Sequence, residues 1–212
     1  MANLVFDCID VKPDRYAAGP TLLFKMRVAE TTGVAIHSIA LRCQMRIEPH
    51  KRAYTDEEKR RLLDIFGEPS QWGETLKPFQ LASISHVVQG FVGSSEFDIP
   101  LPCTYDLEVA SGRFFEALGD GDIPLLLLFS GTVFVRVEGG FQVEQVPWDK
   151  ESTYRLPAKV WREMIDIFFP GEGWLRLDTD TIEGLRRFKI ERGLPTWDMT
   201  IETLLKEAGS DS

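Results

Sequence analysis

The sequence predicts a mostly β protein with added helices, built as an antiparallel β-sandwich with immunoglobulin-like topology. Three observations carry that class. Ile39, Leu41, Cys43, Met45 and Ile47 alternate with Arg42, Gln44 and Arg46, so a one-residue slip would put five apolar side chains in water. Residues 123–151 begin as a solid apolar run, pass through Ser130-Gly131 and then alternate. A Gly139-Gly140 pair and a second alternating run from Phe141 follow, the pattern of a buried strand feeding a glycine-closed hairpin. Seven or eight short strands of this kind, several with one polar face, suit two packed sheets.

The elements follow in order. Residues 4–11 read as a first strand. After the Ala18-Gly19-Pro20 turn, Leu22, Phe24, Met26 and Val28 define a second, with Lys25 and Arg27 opposite. The long strand through residues 39–47 is third. Thr55-Asp56-Glu57-Glu58 is a capping box ahead of Leu62, Leu63 and Phe66, which predicts a short inserted helix over about residues 55–66. Residues 68–78 read as a loop. Residues 81–91 and 97–101 are strands around a Gly93-Ser94-Ser95 turn, and Tyr105, Leu107 and Val109 suggest another. The β-sandwich is expected to occupy residues 1–151.

From Ser152 onward the periodicity reads as helical. Pro157 suits the first turn of a helix carrying Val160, Trp161, Met164, Ile165 and Phe168. Asp180-x-x-Glu183 suggests a cap for a second helix, and Ile201, Leu204 and Leu205 mark a third. Residues 152–212 are therefore expected to form a helical extension packed on the sandwich, the whole being one globular unit.

The bulk numbers bound the function. The 212 residues, 43% hydrophobic, suit one large domain. A formal charge of −9 argues against a nucleic-acid partner, since phosphate contacts need a basic face. The longest apolar run is too short to span a bilayer, and residues 1–10 lack the basic start of a signal peptide. A cytoplasmic protein is expected. Three widely spaced cysteines without a C-x-x-C suggest neither a disulfide framework nor a zinc site.

Catalytic motifs are absent: no nucleophile elbow, P-loop, dinucleotide fingerprint or H-E-x-x-H. Ser130 lies in a strand pattern. His37, His50 and His86 are far apart, so no metal and no cofactor is expected. The carboxylate pairs Asp7/Asp10, Asp120/Asp122 and Asp149/Glu151 leave open an enzyme using Asp149 in a pocket beside the hairpin. A small-ligand-binding sandwich module is a further alternative. Basic clusters at residues 50–52, 59–61 and 186–192 read as solvated faces or as docking points for an acidic partner. Tryptophans outside regular elements are either plugs or interface anchors. Trp72, in a Gly/Pro loop, and Trp148, after the hairpin, are the candidate partner-binding residues together with Asp149; Trp174 and Trp197 sit near helix ends.

Six strings stand in order along the chain: LRCQMRIEP, IFGEPSQWG, PCTYDLEV, LLLLFSGTVF, QVEQVPWDKE and RGLPTWD. By these the chain resembles an uncharacterised bacterial family, domain-of-unknown-function family 6084, over residues 4–205. The resemblance implies an origin near uptake nickel–iron hydrogenase genes, and hence a non-enzymatic, protein-binding accessory role in assembling or stabilising that enzyme. It carries over no catalytic residues. The expected partner is a hydrogenase subunit or maturation factor.

Overall fold

The computed structural model describes residues 2–103, 107, 111–171 and 177–209. These fall into two compact units, residues 1–171 and 172–212.

The first unit holds the eight strands found among the described residues. They are β1 (Leu4–Pro13), β2 (Thr21–Glu30), β3 (Ile36–Ile47), β4 (Phe79–Phe91), β5 (Ser94–Pro102), β6 (Asp122–Val137), β7 (Gly140–Gln145) and β8 (Glu151–Pro157). One antiparallel sheet has the order β1-β2-β5. The other runs β4-β3-β6-β7, and β8 pairs with the first half of β6. With β4 joining the sheet of β3, β6 and β7, this is an immunoglobulin-like strand order, and the sandwich class stands.

Period-two alternation gives each sheet one apolar face. Leu22, Phe24, Met26 and Val28 of β2 are buried, as are Ile39, Leu41, Cys43, Met45 and Ile47 of β3. Each such side chain contributes roughly 1.5–3 kcal/mol by leaving water. Phe6 of β1 stacks on Phe129 of β6 at 4.5 Å between ring centroids, tying one sheet to the other. At another point His86 of β4 stacks on Phe97 of β5 at 5.3 Å, and burial lowers the pKa of that imidazole. Burial also pushes the Cys8 and Cys43 thiols up to about 12, so both stay protonated and behave as small apolar groups.

Two buried carboxylates hold loops to this frame. Glu30, at the end of β2, accepts from the backbone N–H of Asn3, Thr32, Gly33 and Val34 and from Thr32 Oγ1. Glu58 belongs to the predicted capping box, and both reciprocal bonds with Thr55 form. It also takes the Gly119 N–H at 3.0 Å and pairs with the buried Arg52 guanidinium at 2.7 Å. The inserted helix is thereby anchored to the approach to β6.

Several boundaries differ from the sequence reading. The inserted helix is broken at Leu62 into α1 (Asp56–Arg61) and α2 (Leu63–Phe66). The loop after it contains a 3₁₀ turn (Pro69–Gln71) and α3 (Trp72–Thr75). α4 (Arg113–Ala117) buries Phe114 and Phe115. Of the strand expected through Tyr105, Leu107 and Val109, Leu107 alone is among the described residues, and its backbone is helical. Residues 152–157, read as the start of the helical region, belong to the strand Glu151–Pro157. Tyr154 and Leu156 alternate there with Glu151, Thr153 and Arg155, and β6 offers a partner along the whole length. Pro157 is the N-cap of α5 (Ala158–Phe168), which belongs to the first unit and buries Ala158, Trp161 and Met164.

The second unit contains α6 (Thr179–Glu191) and α7 (Trp197–Glu207). α6 starts at an Asp178 cap position with no side-chain bond, so Asp180 and Glu183 do not cap it. Thr196 caps α7 by accepting from the Met199 N–H. Arg192 bonds Glu207 at 2.5 Å, and Lys189 stands 5.8 Å from the Trp197 ring. No helix among the described residues is long and apolar enough to cross a membrane.

Candidate functional site at the β6–β7–β8 junction

β6 changes partner midway: residues 122–128 pair with β8 and residues 132–137 with β7. The change is made at Gly131. Its φ is +142°, and a Cβ there would lie 2.0 Å from the Ala40 carbonyl oxygen on β3, so only glycine fits. Two backbone bonds flank the change of partner. Val146 N–H donates to the Gly131 carbonyl at 2.9 Å, and Phe129 N–H donates to the Lys150 carbonyl at 2.9 Å.

Residues 147–150 have nowhere to go but outward. They form a turn closed by Lys150 N–H donating to the Pro147 carbonyl at 3.2 Å, with Trp148 and Asp149 at its two central positions. Lys150 Nζ also reaches Asn3 Oδ1 at 3.2 Å. The buried Val146 fixes one side of the turn in the core. Trp148 is thus presented by a pinned backbone, yet its residue is 93% exposed. Exposing a large indole on a fixed turn loses apolar burial with no compensation inside the chain.

The indole borders a shallow cleft of about 380 Å³ on the outer face of the larger sheet, lined also by Arg42, Gln44, Gln80, Ser83, Leu128 and Ser130. Leu128 and Leu126 point out of this face, half-buried, because the intervening Leu125, Leu127 and Phe129 point in. Arg42 Nε donates to Ser83 Oγ at 3.0 Å, and Gln44 to Gln80 at 3.0 Å. Such a face offers hydrogen bonds, cationic heads and apolar contact. It gathers no acid–base pair.

The candidate residues therefore separate. Trp148 and Asp149 stand together, exposed, in the turn. Trp72 is a packing residue: its Nε1–H donates to the Gly67 carbonyl at 2.9 Å, and its ring meets Tyr54 and Phe66 edge-on at 5.2 and 6.3 Å. Trp174 lies outside the described residues. Asp149 does not line the cleft, and among the described residues no group of three His, Cys, Asp or Glu is arranged to hold a metal. Arg42, Arg46, Leu126, Leu128 and Arg155 were not singled out from the sequence. The parity of Arg42 and Arg46 on β3 is visible in the sequence, but that Leu126, Leu128 and Arg155 share their face follows only from the pairing of β6 with β3 and β8.

The chain matches a family model over residues 1–212, that of a family of unknown function, DUF6084. It belongs to that family. No curated protein matches it. Among solved structures, a late embryogenesis abundant protein is similar at 13% identity and a TM-score of 0.33, over 73% of this chain and 72% of that one. β-Glucosidase 3B from Thermotoga neapolitana is similar at 10% identity and a TM-score of 0.27, over 73% of this chain and 17% of that one. A β-glucosidase from Kluyveromyces marxianus gives 9% identity and 0.26, over 73% and 15%. The chain thus spans less than a fifth of either glucosidase.

Proposed function

We propose that this DUF6084 member is a cytoplasmic, non-enzymatic protein-binding accessory factor that assists the assembly or stability of a nickel–iron hydrogenase. The observation that supports the protein-binding part is Trp148, 93% exposed on a turn that three backbone hydrogen bonds pin in place. Tryptophan held rigid and left wet is the residue type that most often anchors an interface, because its ordering cost is already met before the partner arrives. The hydrogenase part rests on the resemblance set out above, and on nothing in the geometry.

The test is affinity purification of tagged protein from its native host under hydrogenase-inducing conditions. A hydrogenase subunit or maturation factor is expected to be enriched over a control bait. Trp148→Ala is expected to lower that recovery at least tenfold, the loss typical of a hot-spot residue. Enrichment of no such protein would remove the hydrogenase assignment. Undiminished recovery with Trp148→Ala would move the interface elsewhere.

A further inference from the structure

The charge on the cleft-bearing face runs against the charge of the molecule. The chain has 33 acidic and 24 basic residues. On the rows of the larger sheet between Pro124 and Arg136 of β6, the outward charged residues are Arg42, Arg46, Arg136, Arg155 and a single acid, Glu151. Glu151 stands opposite Leu128. Among the described residues none of the four guanidiniums has a carboxylate partner; Arg42 bonds only the Ser83 hydroxyl. Elsewhere on the same unit arginines are paired: Arg15 with Glu163, Arg27 with Glu96, Arg52 with Glu58 and Arg162 with Asp120. A chain with acid in excess has left these four unpaired on one sheet face.

Register fixes their spacing. Arg42 lies opposite Ser130 and Arg46 opposite Leu126, while Arg155 flanks the same strand opposite Pro124. From Ala40 to Arg46 the outward positions run along β3 with a rise of roughly 3.3 Å per residue, so about seven extended residues would lie along it. Leu126, Leu128 and Trp148 supply apolar contact between and beside the cations.

We propose that the segment received by this face is an acidic stretch of a partner protein, whose carboxylates meet Arg42, Arg46 and Arg155 and whose apolar side chains meet Trp148 and Leu128. The inference rests on the docking reading above and adds the chemistry of the partner. Guanidinium groups take carboxylates with two parallel hydrogen bonds, which gives such a face selectivity as well as attraction. A protein segment fits better than a nucleic acid. The net charge of −9 repels a long polyanion, and the leucines give a phosphate backbone nothing to meet.

The probe is a fluorescein-labelled peptide of about seven residues with glutamate and leucine in a two-to-one ratio, titrated against the full chain at low salt and followed by anisotropy. Its controls are the same peptide with glutamine for glutamate, an oligolysine peptide and a single-stranded DNA oligonucleotide. Saturable binding of the acidic peptide is expected, at least tenfold weaker for the glutamine form and at least tenfold weaker in Arg42→Glu/Arg46→Glu. Arg42→Gln/Arg46→Gln should show a smaller loss in the same direction, and circular dichroism should show both variants folded. Equal binding of the glutamine peptide, no saturable binding at all, or tighter binding of DNA through the same arginines overturns the proposal. So does a sedimentation profile in which the arginine variants abolish self-association, which would make a second copy the occupant. If affinity purification still recovers the partner with Arg42→Glu/Arg46→Glu but not with Trp148→Ala, the acidic inference falls and the docking reading survives. If neither variant changes recovery, the docking reading itself falls.

Discussion

Glu30 is a buried acid whose carboxylate serves a whole loop. Its residue is 5% exposed, and it gathers donors from Asn3, Thr32, Gly33 and Val34 around one carboxylate. Burial opposes its ionisation, but the Thr32 hydroxyl and the backbone N–H groups of Thr32, Asn3 and Gly33 outweigh burial, and the pKa falls to about 2. A folded-state pKa below the unfolded one means that the stabilisation is complete above about pH 4.5 and is lost as pH falls toward 2. Glu30→Gln keeps the shape and removes the charge. It is expected to cost about 2 kcal/mol at pH 7, and the difference from the parent should shrink as pH drops through 4 to 2. Urea denaturation at a series of pH values reads this directly, and a pH-independent difference would show that the second acceptor oxygen, and not the charge, is what the loop needs.

At the scale of elements, α1 is too short to stand on propensity. A helix over Asp56–Arg61 is held by its cap and by tertiary bonds. Glu58 supplies both, so truncating it removes the reciprocal bond to Thr55, the Gly119 contact and the partner of a buried guanidinium. Leaving Arg52 buried and unpaired is the larger part of the loss. Glu58→Ala is expected to cost about 3–5 kcal/mol, and Thr55→Ala only about 1 kcal/mol, both measured by chemical denaturation. Equal costs for the two would mean that the helix cap, and not the ion pair, holds the element. The T-x-x-E spacing made the cap legible from residue types alone. The ion pair was not legible, because Arg52, Glu58 and Gly119 are brought together by β6. The same limit governs the strands. β3 was readable because its two faces differ in every position, and the hairpin because Gly139 marks its turn. β8 is hard to see in the sequence because its period-two run is short and joins, through Pro157, the strong helical pattern of α5; pairing with residues 122–128 decides it. Trp148 was a candidate by type and position, while its exposure follows from the change of partner at Gly131. Trp72 carried the same signal and turned out to plug the inserted helices.

Over the whole molecule, the apolar core of the described residues is confined to the first unit. Every residue of the core cluster, and every partly buried apolar residue packed against it, lies at or before Phe168 among the described residues. Within the second unit, by contrast, Thr200 is the one buried residue described, while Ile190, Trp197, Met199, Ile201 and Leu205 are exposed. A unit of this size without a core of its own lacks the burial that independent folding needs. Ending the chain after Gly171 is therefore expected to leave the sandwich folded, with one cooperative transition and a midpoint within about 4 °C of the parent, a shift of roughly 1–2 kcal/mol. Ending it after Pro157 is a different change, because it removes α5, which packs against β1, β2 and β8, and with it the buried Trp161 and Met164. Trp161 also meets Phe115 at 4.3 Å between ring centroids, so α4 would lose its cover as well. Loss of these two side chains alone costs about 5 kcal/mol or more on the scale of large-to-small core substitutions. Thermal unfolding followed by circular dichroism compares the three chains. A large fall in midpoint for the chain ending at Gly171 would place part of the sandwich's stability in residues 172–212, and would make those helices part of the fold that presents Trp148.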